Sequence, residues 1–172
     1  MMAELFGGFG MASFFAFLAS SSFIYIGHFG LTPTQYGLTF SLNAIGFIGA
    51  SQFSGYLADR FGIARVVSVA VTCFTVMAVA LFVVVAAGSD SLPVLVAMLF
   101  LAFAWLGLVI PSTMVLSLED HGPIAGMASA LGGTLQMITG AVMIVVASAF
   151  FNGTALPMVT TIAVCAVAAF VL

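Results

Sequence analysis

The chain has 172 residues, of which 64% are hydrophobic and 4% charged, and its mean hydropathy is +1.37. A soluble domain carries about 25% charged residues to keep its surface in water, so this composition excludes a water-facing globule and makes lipid the solvent. Five acidic residues against two arginines give a net charge of −3, too little basic character for a nucleic-acid partner.

Apolar runs fall at 5–27, 36–57, 66–87, 93–117, 125–149 and 157–172, separated by short turns containing Gly, Pro, Asp, Asn or His. A helix needs roughly 20 apolar residues to cross a bilayer, and the first five runs meet that length. The sixth has 16 residues and reads as a helix cut short. Backbone groups in hydrocarbon must be satisfied within the segment, so each run is expected to be a helix. The expectation is an all-α membrane protein whose residues 1–172 form one unit of six transmembrane helices. The first run is too long, and too poorly flanked by basic residues, for a cleaved signal peptide.

Between the second and third runs lies "GYLADRFGIAR", positions 55–65, which holds both basic residues of the chain, Arg60 and Arg65. Short basic loops stay in the cytoplasm, which places loop 58–65 there, and with it the loop at 118–124. Asp59, Glu119 and Asp120 then share that face as possible partners for arginine. Gly55 allows a neighbouring helix to approach, and Gly62 supplies the turn. Asp59 and Arg60 sit at a helix end, where a carboxylate can meet a basic group or the N-terminus of another helix.

A "GYLADRFG" turn in this place resembles the cytoplasmic signature loop of the major facilitator superfamily, with Ile63 and Ala64 standing where that family usually has a basic pair. "PSTMVLSLEDHGPIAGMASALGGTLQMITGA", positions 111–141, is similar to the tenth and eleventh helices of the superfamily's Bcr/CflA drug-efflux branch. "SSSFIYIGHFGLTPTQYGLTFSLNAIG", positions 20–46, is similar to that branch's seventh and eighth helices, with Ser21-Ser22-Phe23 replacing its usual Ser-Pro-Phe. The resemblance covers essentially the whole chain and corresponds to a C-terminal six-helix half. It implies a bacterial inner-membrane antiporter half that exports drug-like small molecules against protons by alternating access. It also implies a missing N-terminal half, or a second copy, as partner. By the same resemblance the first, second, fourth and fifth helices surround a cavity, while the third and sixth stand outside. The alternatives are half of another branch, moving sugars, organic anions or metabolites, and a non-transporting membrane subunit or fragment.

Individual residues refine this picture. Asn43 and Gln136 lie within spans, Ser22 ends a serine run in the first, and Trp105 is mid-span; each is a candidate to line a substrate cavity, since polar groups at membrane depth face a bundle interior or water. Gly126/Ala130 and Ser129/Gly133 are small residues at four-residue spacing, the pattern that lets membrane helices pack backbone to backbone. Most of the 18 Phe residues are expected to face lipid. Cys73 and Cys165 form no CxxC pair and read as small apolar residues. No Ser/His/Asp grouping, metal-ligand cluster or phosphate-binding loop appears at workable spacing, so neither an enzyme nor a cofactor is expected. The Asn152-Gly153-Thr154 sequon reads as chance. None of the five carboxylates lies at mid-span, and the resemblance implies that a carboxylate in the missing half carries the proton.

Overall fold

The computed structural model describes residues 2–88, 91–119, 125–149 and 154–171. Asp90, Asp120, His121 and Asn152 therefore lie outside the described residues, and Glu119 is described by its backbone alone. Seven α-helices follow in chain order among the described residues, with no strand. They are α1 (Met2–Ser22), α2 (Pro33–Gln52), α3 (Ser54–Phe61), α4 (Ile63–Ala86), α5 (Leu92–Glu119), α6 (Ala125–Ala149) and α7 (Leu156–Val171). Helix α1 runs directly into a π-helical turn, Phe23–His28.

Among the described residues four stretches are long and apolar enough to cross a bilayer: Gly7–His28, Ile63–Ala86, Leu92–Leu116 and Ser129–Val146. The chain is thus an all-helical integral membrane protein. The 16-residue α7 is apolar but shorter. The second expected span, 36–57, is helical over Pro33–Gln52 but is not among these four. Helix α2 carries Thr34, Gln35, Thr39, Ser41, Asn43, Ser51 and Gln52 within 20 residues, too much polar character for an unbroken apolar segment. Its hydroxyls soften that cost by bonding back to their own helix: Ser41 Oγ donates to the Gly37 carbonyl and Ser51 Oγ to Ile48, both at 2.7 Å.

Local sequence sets the boundaries. Helix α2 opens on a capping box in which Thr32 Oγ1 accepts from the Gln35 N–H and Gln35 Oε1 accepts from the Thr32 N–H, with Pro33 next at a position that needs no donor. It stops at Phe53, whose N–H turns back to Ala50, and α3 restarts at Ser54. The expected loop at 58–65 contracts to one residue. Positions 58–61 belong to α3 and 63–65 already to α4, and Gly62 alone makes the turn at φ +83°. Only a residue without Cβ takes that backbone readily, which lets two helices join with no further linker.

Four helices close a ring. Helix α1 packs on α5, α5 on α4, α4 on α7, and α7 back on α1. The core between them includes Phe17, Phe74, Leu81, Leu99, Phe103, Leu106, Met158 and Ile162. Helix α2 lies mainly on α5, and α6 mainly on α1. Each therefore stands outside the ring, exposing much of its surface.

Candidate functional site

Where α1, α2 and α5 meet, aromatic side chains gather around a cavity of about 220 Å³ lined by Phe14, Phe17, Phe40, Phe47, Phe103, Asn43, Ala44 and Ile48. Phe14 stacks on Phe47 at 5.6 Å between ring centroids and meets Phe103 edge-on at 6.0 Å. Phe17 stacks on Phe40 at 6.0 Å. Such offset and edge-on pairs hold rings in fixed orientations and present flat apolar faces to anything between them. The expectation that most phenylalanines face lipid is corrected here. Among the described residues Phe23, Phe53, Phe61 and Phe170 are exposed, whereas Phe17, Phe74 and Phe103 are buried and Phe9, Phe14, Phe40 and Phe47 pack against the core. Helical spacing brings three of them, Phe14, Phe17 and Phe103, onto the surfaces that α1 and α5 turn toward α2.

Asn43 is the polar member of this pocket. It is buried, and its Nδ2 donates to the Thr39 carbonyl at 3.2 Å, leaving Oδ1 buried without a hydrogen-bond partner. A buried acceptor left unmade costs on the order of 1–3 kcal/mol, and the nearest donor the fold offers it is the Tyr25 hydroxyl beside it. Nearby, Ser21 Oγ and Tyr36 Oη share a 3.0 Å hydrogen bond, and the buried Tyr25 Oη, short of a fully formed bond of its own, lies beside the Asn43 side chain. These polar groups flank the π-helical turn, where one residue more per turn widens the helix; such turns interrupt helices at functional positions. The turn begins beside Ser22, so a departure from α-helical winding occurs here without a proline.

The four expected cavity residues are not brought together. Asn43 lines the aromatic pocket. Ser22 is half-buried at the junction of α1 with the π turn and makes no capping bond there. Gln136, on α6, lies against α1 and α5: a Cβ at Gly7 would sit 2.8 Å from its Nε2 and 3.1 Å from Thr113 Oγ1. Trp105 lines a different groove, between α3, α4 and α5.

At the Gly62 end, a cleft of about 400 Å³ is lined by Gly55, Ala58, Asp59, Gly62, Pro111, Ser112 and others. Asp59 and Arg60 are both exposed. Arg60 donates to Tyr56 Oη at 2.9 Å and lies over the Phe61 ring, with Cζ 5.7 Å from its centroid, so its described partners are aromatic rather than acidic. Gly55 lines the cleft with open space where its Cβ would be. Ser112 Oγ is buried there without a partner.

The small residues that spacing singled out on α6 do not pack within this chain. A Cβ at Gly126 or Gly133 meets nothing within 4 Å, Ala130 is exposed, and Ser129 Oγ donates to the Gly126 carbonyl on its own helix. Close packing uses glycines that spacing did not single out. A Cβ on Gly107 would collide with the Phe47 carbonyl and one on Gly140 with the Phe15 ring, while one on Gly46 would lie 2.7 Å from Phe100. The sequence signal available for Gly107 was only its place four residues before Pro111.

Comparison with known proteins agrees with this architecture. The chain is 29% identical over 133 residues to the uncharacterized MFS-type transporter YdgK of Bacillus subtilis (strain 168), covering 75% of the chain and 32% of that protein. It is 26% identical over 160 residues to a bicyclomycin resistance protein homolog of Haemophilus influenzae (strain ATCC 51907 / DSM 11121 / KW20 / Rd), covering 92% of the chain and 40% of that protein. The chain thus spans between a third and two fifths of the length of these relatives. No family model and no solved structure matches it.

Proposed function

We propose, from the premise that this chain is a relative of the major facilitator transporters, that it forms the C-terminal six-helix half of a transporter exporting drug-like small molecules. The observation that carries this reading is the phenylalanine pocket with Asn43 beside it. Flat apolar walls with Asn43 as the one polar residue among them suit an aromatic, weakly polar compound better than a sugar, which would need many hydrogen-bonding partners. The likeness to a bicyclomycin resistance homolog supports the same choice.

In this reading α2 and α6, which stand outside the four-helix ring, face the N-terminal half, or a second copy, across the transport path. Helices α4 and α7 face lipid. The Gly62 end is cytoplasmic in the bacterial inner membrane, since both arginines lie there. The Asp59 cleft then meets the other half and opens and closes with alternating access, while Glu119 and Asp120 meet the corresponding loop of that half. Protons are carried elsewhere in the whole transporter. The test is drug susceptibility and dye efflux in cells expressing the longer protein that contains this chain. Asn43→Leu should change which compounds are exported at unchanged protein level. Unaltered export of every compound would remove Asn43 from the path, and absence of any export would remove the drug-efflux reading.

A further inference from the structure

The groove that holds Trp105 is a different kind of site from the aromatic pocket. It has a volume of about 320 Å³ and is lined by Leu57, Phe61, Arg65, Val69, Trp105 and Leu108, among others. All but Arg65 present hydrocarbon or aromatic surface, and Arg65 is exposed. Helix α3 divides the two sides of this end of the molecule. Leu57 and Phe61 border the groove, whereas Gly55, Ala58 and Asp59 border the cleft on its other side. The carboxylate nearest in sequence to Arg65 therefore serves the other cleft.

Arg65 stands in the first turn of α4, which has no side-chain cap and no acidic residue there. A cation at that position opposes the helix dipole, so helix stability gives no reason for it. An anion at the same place would be attracted by the guanidinium and by the free N–H end of the helix together. An apolar slot with an exposed arginine among the residues that line it is complementary to one class of occupant.

We propose that this groove binds an anionic phospholipid, with an acyl chain along Trp105, Leu108 and Val69 and the headgroup phosphate on Arg65. Arginine suits this task because its planar fork pairs with two phosphate oxygens while its stem lies along apolar surface. The inference is independent of what is transported, since the groove faces away from Asn43.

Trp105 is the sole tryptophan of the chain, so its fluorescence reports the groove directly. The purified protein in detergent is titrated with dibrominated phosphatidylglycerol or dibrominated phosphatidylcholine, whose bromines quench an indole they touch. One basic residue near a phosphate favours an anionic lipid by about 1 kcal/mol, which predicts about fivefold tighter quenching by phosphatidylglycerol. Arg65→Gln should reduce the preference to near onefold. Arg60→Gln, which removes the guanidinium held by Tyr56, should leave it. Equal quenching by the two lipids in the unmodified protein overturns the proposal without recourse to any variant. Loss of the preference in Arg60→Gln as in Arg65→Gln overturns it too, because the effect would then be general surface charge. Inorganic phosphate should not displace the lipid; full displacement would make the site one for a soluble anion.

Discussion

Helices α4 and α7 differ from α2 and α6 in what each does with its polar groups and small residues. The first pair buries a continuous stripe. Val67, Ala70, Val71, Phe74, Ala78 and Leu81 of α4 recur at helical spacing, and Met158, Ile162, Cys165, Ala166 and Ala169 of α7 do the same. Polar groups on the outer face of α4 are neutralised locally, Ser68 donating to Ala64 and Thr72 to Ser68. The second pair buries little. Asn43 and Gly46 are the buried residues of α2, and α6 exposes Met127, Leu131, Leu135, Ile138 and Val145 on several sides. A helix apolar all round is at home in lipid, but one that also carries Gly126, Ser129, Gly133 and Thr134 without packing them has a face built for another surface. The lesson is that in lipid the marker of an unfinished interface is unpacked small residues, since exposed leucines are ordinary there.

The comparison can be broken most severely where α2 joins the ring. Gly107 meets backbone, the Phe47 carbonyl, and backbone cannot rotate aside as a side chain can. Gly107→Leu should push α2 off α5, costing at least the 1–3 kcal/mol typical of overpacking and more because the obstacle is rigid. Size-exclusion chromatography in detergent should show little monodisperse protein. A normal elution profile would mean that α2 docks more loosely than its contact with α5 indicates.

A smaller effect is expected on the sealed side. Thr75 Oγ1 is within 2.8 Å of the Val71 carbonyl and 2.9 Å of the Ala166 carbonyl, tying α4 to α7. Thr75→Val keeps the shape and removes the hydroxyl. Interhelical hydrogen bonds in membranes are worth about 0.6 kcal/mol on average and reach about 1.7, so a loss of about 1 kcal/mol in a detergent unfolding titration is expected. No change would assign the α4–α7 contact wholly to apolar packing.

Gln136→Leu tests the boundary between the two regions, where α6 meets α1 near Gly7 and Thr113. Folding should lose about 0.6 kcal/mol or less, visible as a small shift in the same titration. In the longer protein the change should act more on which compounds are exported than on protein level. Collapse of protein level with unchanged export per molecule would make Gln136 a packing residue alone.

How much of this was legible in the sequence follows from the physics of each feature. Spans and the Gly62 turn are one-dimensional signals, carried by apolar length and by a glycine between helices. The Gly62 turn stands where it was expected, and four of the apolar runs contain stretches long enough to span. The break at Phe53 has no glycine or proline at it, so nothing local announces it, and in the π turn at Phe23–His28 the one glycine, Gly27, lies near the end rather than where the winding changes. The second span is the least distinct of the runs because its polar residues are spread singly among many apolar ones. For site residues the limit is pairing. Asn43 is identifiable as a polar group at depth, but Phe14, Phe17, Phe40, Phe47 and Phe103 surround it from three helices. Trp105 lines a groove together with Arg65, whereas Asn43 lines the aromatic pocket. Tight glycines are equally invisible, since Gly107 matters through Phe47, sixty residues earlier in the chain.

The smallest expected effect is the most informative about the exposed pair. Gly133→Ala adds a methyl to a position with no neighbour within 4 Å. Within this chain it can clash with nothing. Glycine in a helix interior is less favourable than alanine by roughly 0.5–1 kcal/mol through backbone freedom in the unfolded chain, an advantage that shrinks in a bilayer where the unfolded segment is itself helical. The isolated chain should therefore unfold at the same denaturant concentration, or slightly higher. In the longer protein the expectation reverses if α6 meets the other half through this face. A single methyl at a backbone-to-backbone crossing then holds the two helices apart and should slow export several-fold, with Gly126→Ala behaving alike. Neutrality in both settings would leave Gly126, Ser129, Ala130 and Gly133 as residues facing lipid, and the distinction between the two helix pairs would rest on Asn43 and α2 alone.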